Sequence, residues 1–258
     1  MIYEAIDFKL ENDIAIVTLN RPSVMNALTT LMRAELLHAV RHGATTARVL
    51  VLTGAGAAFC SGQDLSDRSE VGKIDLERSL REEYFPLLKA ITDCPIPTIS
   101  AVNGPAAGAG ANIALAADVV IASKNAYFLQ AFTRIGLMPD AGGTYTLPRR
   151  MGLARAMGAA LFSEKIYAKQ AQEWGLIWEF AEPEAFEDLW KRRATHLASG
   201  PTVAYEHTKQ ALRESFQNTY EQQLMLEAKL QGKCGQSRDF KEGVMSFLGK
   251  RPAIFEGR

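Results

Sequence analysis

The segment NGPAAGAGANIALAAD, residues 103–118, could bind negative charge through its backbone. It follows an apolar stretch typical of a strand and runs into an Ala- and Leu-rich stretch typical of a helix. The first N–H groups of a helix have no partner within it, and the aligned peptides give that end a partial positive charge. Because Gly108, Ala109 and Gly110 are small, a ligand can approach closely. The pattern predicts a site for an oxyanion, although the same residues would also let a helix pack against a sheet.

A second glycine-centred turn lies in TGAGAAFCSGQDLSDR, residues 53–68, directly after another predicted strand. The backbone N–H of Gln63 could donate to the same oxygen. The alternative is a solvent-exposed turn that Asp64 closes, because Asp often forms hydrogen bonds with the backbone beside it. We therefore treat Gln63 as a candidate donor and Asp64 as a turn or cap residue rather than a base.

A carboxylate for proton transfer is the third candidate. In FTRIGLMPDAGGTYTLPRRMG, residues 132–152, Asp140 lies among the apolar residues Ile135, Leu137 and Met138. Partial removal from water would raise its pKa and suit it to proton transfer near neutral pH. The alternative is that Asp140 caps the helix that follows.

Other site chemistries find little support in the sequence. The three cysteines are widely spaced and form no CxxC, so we expect neither a disulfide framework nor a metal site, and we expect reduced, buried thiols. The four histidines lie in helix-like segments without a nucleophile or carboxylate at a recognisable spacing. Neither Gly108-x-Gly110 nor Gly54-x-Gly56 continues as a dinucleotide-binding fingerprint.

The elements that must position these residues alternate between strands and helices. Apolar runs rich in Val, Ile and Thr predict buried strands at 14–19, 49–53, 98–103 and 118–123. Between the first two, Thr29 caps a predicted helix that runs to about His42, with Gly43 just beyond it. A second predicted helix spans 77–91. The pattern indicates an α/β fold.

After about residue 183 strand patterns stop. Amphipathic helices are predicted at 184–198, 201–216, 220–232 and 237–250. We therefore divide the chain into an α/β core over 1–182 and a helical unit over 183–258.

Composition excludes several classes of partner. Lys and Arg together number 29, as do Asp and Glu, and without a run of like charge neither nucleic acid nor an anionic membrane is an expected partner. The apolar stretch 98–122 is interrupted by polar residues and Pro105, so no membrane span is expected. The N-terminal residues lack a secretory pattern, and we expect a cytoplasmic enzyme.

Four motifs together resemble the crotonase (enoyl-CoA hydratase/isomerase) superfamily in order and spacing over nearly the whole chain. They are NRP at 20–22 with NAL at 26–28, FCSGQDL at 59–65, NG at 103–104 with GAG at 108–110, and GL at 136–137 with GGT at 142–144. The resemblance implies a spiral of β-β-α turns followed by a C-terminal helical unit for trimerisation and pocket closure. It also implies a homotrimer or dimer of trimers, an acyl-CoA substrate and no separate cofactor.

By this resemblance the backbone N–H groups of Gln63 and Ala109 form an oxyanion hole for the thioester oxygen. Asp140 stands where several isomerase and dehalogenase branches carry their working aspartate. Hydratases of the family use two glutamates, at positions that here hold Asn112 and Phe132. The substrate-binding positions implied are Ala27, Ser61, Gly62, Asp64, Leu65, Gly108, Gly110, Asn112, Phe132 and Gly143.

The branch most resembled is that of the 1,2-epoxyphenylacetyl-CoA isomerases of phenylacetate degradation, through SGQDLSDR, AAGAGAN and GLMPDAGGTYTLPRRMG. It implies rearrangement of a ring epoxide, or a shift of a Δ3 double bond to Δ2, in a CoA thioester. Three alternatives stay open. They are a Δ3,Δ2-enoyl-CoA isomerase of fatty-acid oxidation, an enoyl-CoA hydratase, and a non-catalytic or RNA-binding protein of the same fold.

Overall fold

The computed structural model describes residues 2–66 and 75–257. In chain order its strands are β1 (Ile6–Glu11), β2 (Ile14–Leu19), β3 (Val49–Gly54), β4 (Thr98–Val102), β5 (Ala106–Ala107), β6 (Val119–Ser123), β7 (Tyr127–Leu129), β8 (Ile166–Tyr167) and β9 (Glu179–Ala181). The helices are α1 (Thr30–Thr46), α2 (Leu76–Ser79), α3 (Phe85–Thr92), α4 (Ala109–Ala116), α5 (Gly143–Met151), α6 (Leu153–Phe162), α7 (Ala168–Glu173), α8 (Pro183–Ala198), α9 (Thr202–Glu214), α10 (Tyr220–Gln236) and α11 (Arg238–Leu248). A π-helical turn, Leu80–Tyr84, joins α2 to α3.

The main sheet has the order β1-β2-β3-β4-β6-β9. Only the β1–β2 pair is antiparallel, and the remaining neighbours are parallel. Parallel neighbours need a crossover connection, which explains the helices between these strands. The four strands predicted from the sequence are β2, β3, β4 and β6, and they are confirmed.

A second, shorter sheet runs beside the first. It consists of β5, β7 and β8, and isolated bridges pair Leu28 with Gln63 and Cys60 with Ala106. Each of β2, β3, β4 and β6 is therefore followed by a short extended segment of this second layer. This repetition builds the β-β-α turns, and it brings residues 28, 60–63 and 106–109 next to one another.

Helix α1 begins as predicted but ends later. The Thr29 side chain accepts a hydrogen bond from the Met32 N–H, so the predicted cap is confirmed. The predicted end near His42 is wrong, because the helix continues through Gly43 to Thr46. A Cβ at position 43 would lie 2.7 Å from Leu50 Cδ1, so the glycine allows close packing on the sheet instead of ending the helix.

The main sheet is covered on both faces. Leu50 and Leu52 of β3 join the core on one face, with α1, α3 and α4. Val49 and Val51 join a second core on the other face, where α8 contributes Phe186, Leu189 and Trp190. The sheet is therefore buried on both sides, which accounts for its nearly continuous apolar strands.

The C-terminal helices are present as predicted, and α9 is anchored to the core by ionic and polar contacts. Lys209 Nζ donates to the carbonyl oxygens of Cys94 and Ile96, each at 2.6 Å, and lies 2.7 Å from an Asp118 carboxylate oxygen. Arg213 pairs with the other oxygen of Asp118 at 2.6 Å. Within the described part of the chain, no helix is both long and apolar enough to cross a membrane.

Candidate active site

A cavity of about 310 Å³ lies where the three sequence segments with candidate chemistry meet. Of the residues predicted for the site, those that line the cavity are Ser61, Gly62, Gln63, Asp64, Leu65, Gly108, Ala109, Phe132 and Asp140. Segments separated by up to about 80 positions in the sequence thus form one mainly apolar chamber.

The loop that carries Gln63 is held by backbone hydrogen bonds that leave one N–H unused. The Ser61 N–H donates to Met25 O at 2.9 Å, and on either side of Gln63 the bonds are Leu28 N–H to Gly62 O at 2.8 Å and Asp64 N–H to Leu28 O at 3.1 Å. Within residues 2–66 and 75–257, the Gln63 N–H has no acceptor. It is therefore available to a ligand in the cavity.

The second unused donor is at the start of α4. Ala109 is the first residue of this helix, Gly108 is its N-cap, and no side chain caps the helix. The first intrahelical bond is Asn112 N–H to Gly108 O, at 3.2 Å, so among the described residues the Ala109 N–H also has no acceptor. The helix end adds partial positive charge there.

Glycines let these two donor segments touch. Gly62 has φ +99°, and a Cβ there would lie 2.9 Å from Ala107 O. A Cβ on Gly110 would come 2.5 Å from Cys60 O. Of the interpretations left open for residues 108–110, the packing role therefore holds for Gly110. Ala109 lines the cavity, and its role as an oxyanion donor stays a prediction.

Among the residues that the structure describes, Asp140 is the acidic group of the cavity without a charged partner. The N-cap alternative is wrong, because α5 begins at Gly143 with Gly142 as its N-cap and no side-chain cap. Asp140 Oδ1 is buried and accepts no hydrogen bond from any described residue. Burial raises the pKa of this carboxyl to about 6, in the direction that its apolar neighbours predicted.

The backbone of Asp140 is fixed by a buried pair of amide side chains. Asn112 Nδ2 donates to Asp140 O at 2.7 Å, and Gln130 Nε2 donates to Asn112 Oδ1 at 2.9 Å. The Gly143 N–H donates to the same Asp140 oxygen at 2.8 Å. A Cβ on Gly143 would lie 2.5 Å from Asn112 Nδ2, so glycine is needed for this close approach.

Four predicted site residues do not line the cavity, namely Ala27, Gly110, Asn112 and Gly143. Three of them contact segments that do line it, since Gly110 packs against Cys60, and Asn112 and Gly143 bind the Asp140 backbone. Asp64 lines the cavity, but its carboxylate accepts hydrogen bonds from the Ser66 hydroxyl, at 2.6 Å, and from Arg21, at 2.8 Å. These bonds hold the pKa of Asp64 below its usual range, so it is an ionised turn residue, as its local pattern suggested.

The sequence motifs assigned no site role to most of one wall of the cavity. The residues of that wall without an assigned role come from the helix that begins at α2 and from the segment before Asp140, and they are Leu76, Ser79, Leu80, Tyr84, Ala131 and Arg134. Ile135 and Leu137 complete the wall, and the sequence had placed both beside Asp140. The available signal was the spacing of residues 76, 80 and 84, which would place them on one face if the helix predicted at 77–91 began one residue earlier. That pattern predicts a buried face but does not tell which surface it covers.

The arrangement combines two backbone donors and one carboxylate with a raised pKa in an apolar chamber. Donors of this kind stabilise an oxygen that gains negative charge, and a nearby carboxylate can then move a proton on the adjoining carbon. Among the described residues no group of three or more His, Cys, Asp or Glu side chains could hold a metal ion.

Comparison with known proteins finds relatives that match nearly the whole chain. The family model described as enoyl-CoA hydratase/isomerase matches residues 9–258. A protein of Rhodobacter capsulatus named "probable enoyl-CoA hydratase" is 57% identical over 100% of both chains. The 1,2-epoxyphenylacetyl-CoA isomerase of Escherichia coli is 44% identical over 96% of this chain and 97% of its own. The crystal structure of an enoyl-CoA hydratase from Polaromonas sp. JS666 has a TM-score of 0.92 at 31% identity, covering 98% of this chain and 100% of that one.

Proposed function

Because this chain belongs to the enoyl-CoA hydratase/isomerase family and is a crotonase-fold enzyme acting on acyl-CoA, we propose that it is an isomerase of acyl-CoA thioesters. It shifts a double bond, or rearranges a ring epoxide, in the acyl group. The observation that carries this proposal is Asp140, which among the described lining residues is the carboxylate without a charged partner, at the cavity that also contains the unused N–H groups of Gln63 and Ala109.

The chemistry follows for a 3-enoyl thioester. The thioester oxygen accepts hydrogen bonds from Gln63 and Ala109, and the Asp140 carboxylate removes a proton from the carbon next to the carbonyl. The electron pair of that C–H bond moves onto the thioester oxygen as a dienolate, which the two donors stabilise. Asp140 then returns the proton to the γ carbon, and the double bond ends between the α and β carbons.

Water addition is less well served by these residues. The positions that carry glutamates in hydratases, according to the family resemblance, hold Asn112 and Phe132. The Asn112 side chain is hydrogen-bonded to Asp140 O and to Gln130. Neither the Asn112 amide nor the Phe132 ring can act as a base. One carboxylate would have to activate water and also manage the carbon-bound proton.

A hydratase is nevertheless the second candidate, because the relative at 57% identity bears that name. The 44% identity to an epoxyphenylacetyl-CoA isomerase, over nearly the full length, supports the isomerase and an aromatic acyl group of phenylacetate catabolism. The apolar wall of Leu76, Leu80 and Leu137 suits such a group.

The test is a side-by-side assay of the purified protein with 1,2-epoxyphenylacetyl-CoA, a 3-enoyl-CoA and crotonyl-CoA. We expect the first or second to be consumed without hydration of crotonyl-CoA, and we expect Asp140→Asn to lose this activity. Asp188→Asn, which removes an exposed carboxylate on α8, is the matched control and should behave as wild type. Efficient hydration of crotonyl-CoA, or an active Asp140→Asn variant, would reject the proposed mechanism.

We also propose that the enzyme works as a homotrimer or a dimer of trimers. Large apolar side chains are exposed on α6, among them Leu153, Leu161 and Phe162, and Trp178 is exposed before β9. Such exposed apolar surface is typical of subunit interfaces. Light scattering after size-exclusion chromatography would give a mass of about three or six chains, whereas a monomer would contradict this proposal.

A further inference from the structure

Behind the Gln63 loop lies a polar cluster formed by the side chains of Arg33, Gln63 and Tyr84, which we call the Gln63 clamp. We propose that Arg33 and Tyr84 are positioning residues that fix the direction of the Gln63 N–H and so set how strongly the thioester oxygen is bound. This inference rests on the proposed function, since it assumes that Gln63 is an oxyanion donor.

The clamp converges on one atom. The Tyr84 hydroxyl donates to Gln63 Oε1 at 2.6 Å, and Arg33 Nη1 donates to the same oxygen at 2.7 Å. Arg33 is 1% exposed and Tyr84 is 4% exposed, so water competes little for these bonds. The Gln63 side chain is thereby held at its end by two donors.

Arg33 also holds the segment that brackets Gln63. Its Nη1 donates to Leu28 O at 3.0 Å. Leu28 in turn pairs with the residues on either side of Gln63, through its N–H to Gly62 and its carbonyl to Asp64. One guanidinium therefore fixes the side chain of residue 63 and the strand segment against which its backbone lies.

Packing alone does not account for these side chains. A buried guanidinium costs desolvation energy unless it is well paired, and an apolar side chain would fill the space without that cost. Arg33 pairs with Glu83 and lies over the Tyr84 ring, with Cζ 4.8 Å from the ring centroid. The guanidinium supplies directional donors to Gln63 and Leu28, which an apolar residue cannot supply.

The Gln63 clamp also connects the cavity wall that would contact the acyl group to the loop that carries Gln63. Tyr84 ends the π-helical turn Leu80–Tyr84, and both Leu80 and Tyr84 line the cavity. Turns of this kind inside helices are frequent at functional sites. The helix face that contacts the acyl group therefore also carries the hydroxyl that holds Gln63.

Two variants should change the direction of the Gln63 N–H without removing this donor. Tyr84→Phe keeps the ring and removes the hydroxyl, and Gln63→Leu removes the clamped amide but keeps the backbone N–H. In either variant the N–H should point less accurately at the oxygen. Since oxyanion donors act most strongly in the transition state, we expect kcat to fall roughly three- to tenfold, with a smaller change in KM. The double variant should lose little more than either single one, because both changes break the same contact.

The decisive readout is the infrared C=O stretch of phenylacetyl-CoA labelled with ¹³C at the thioester carbon. We expect binding to wild type to lower this frequency, and we expect Tyr84→Phe and Gln63→Leu to reverse part of that shift. Tyr3→Phe is the matched control, because it removes a hydroxyl bonded to His38 away from the cavity, and it should leave both kcat and the spectrum unchanged.

The outcomes distinguish this inference from the proposed function. A wild-type complex without any lowering of the frequency rejects the oxyanion site itself. A wild-type lowering that both variants reproduce in full overturns the clamp, even if their kcat falls for packing reasons. If Tyr84→Phe does not fold, Gln63→Leu alone decides, since it changes a loop side chain and leaves the ring of Tyr84 in place.

Discussion

At the scale of single residues, burial of the ionised Asp140 carboxylate in the cavity lowers the stability of the folded state. Its Oδ1 is buried without a hydrogen-bond partner among the described residues, and its pKa is raised to about 6 by burial. A carboxylate that is poorly solvated is a stronger base, which suits removal of a carbon-bound proton. The same isolation destabilises the charged form, so Asp140 should affect activity and stability in opposite ways.

The pH dependence of kcat/KM for a 3-enoyl-CoA should report this carboxyl. As a base Asp140 must be ionised, so activity rises with pH through an apparent pKa of about 6 and levels off above it. Initial rates measured from pH 4.5 to 8.5 would show this rise in activity. A profile that is flat between pH 5 and 7 would assign the proton transfer to another group.

Asp140→Asn should stabilise the protein at neutral and alkaline pH. The folded carboxyl has a pKa raised from 3.8, so its contribution is favourable only while it is protonated and is lost as the pH rises through about 6. We expect the variant to exceed wild type in Tm by a few degrees at pH 8, where about 1 kcal/mol corresponds to roughly 2–4 °C.

The difference in Tm between Asp140→Asn and wild type should be smaller at pH 5, where much of the wild-type Asp140 carboxyl is protonated. Calorimetric or fluorescence melting at both pH values measures it. An equal difference at pH 5 and pH 8 would mean that ionisation of Asp140 is not its cause, and Asp188→Asn again supplies the control.

At the scale of elements, the start of α4 is placed by contact between backbones. Gly110 approaches Cys60 so closely that a Cβ would lie 2.5 Å from Cys60 O and 2.6 Å from its Sγ. Cys60 is itself held by backbone hydrogen bonds, from its N–H to Pro105 O at 3.1 Å and from the Ala107 N–H to its carbonyl at 2.9 Å. The distance between the two proposed oxyanion donors thus depends on the absence of a Cβ at position 110.

Gly110→Ala should therefore separate α4 from the Gln63 loop. We expect a loss of roughly 1–3 kcal/mol in unfolding free energy and a larger fractional loss in kcat, because the donors no longer converge. Denaturant unfolding and steady-state kinetics measure the two effects.

Gly232→Ala in α10 is the matched control. It has no atom within 4 Å of the added Cβ, and it should leave activity intact and raise stability by roughly 0.5–1 kcal/mol. If Gly110→Ala retained both stability and kcat, the close approach of Gly110 to Cys60 would not be needed for either.

At the scale of the whole molecule, the cluster of Asp118, Lys209 and Arg213 ties α9 to the loop before β4 and the start of β6. Lys209→Met should lower the unfolding free energy by roughly 3 kcal/mol, since Asp118 and two carbonyl oxygens lose a partly buried donor. Thermal melting measures this loss.

Lys191→Met is the control. Lys191 pairs with Glu187 at the exposed surface, so this variant should change Tm little. Equal losses in the two variants would show that burial of the cluster has no special weight.

Much of this fold could be predicted because the deciding signals are local. Strands β2, β3, β4 and β6 are marked by apolar runs, and Thr29 marks the start of α1. The end of α1 was mispredicted for a tertiary reason, because Gly43 accommodates Leu50 of the sheet instead of ending the helix.

The sequence by itself determined which groups could do chemistry: two small-residue turns after strands, and one carboxylate among apolar residues. It also gave the resemblance to the family, through four motifs in order and spacing, and the family model confirms that resemblance. Only the tertiary structure decided that Asp140 is not a cap, that Asn112 holds its backbone, and that Tyr84 reaches Gln63. The last two facts depend on contacts between segments 20 or more positions apart, and no local pattern encodes which helix face meets which loop.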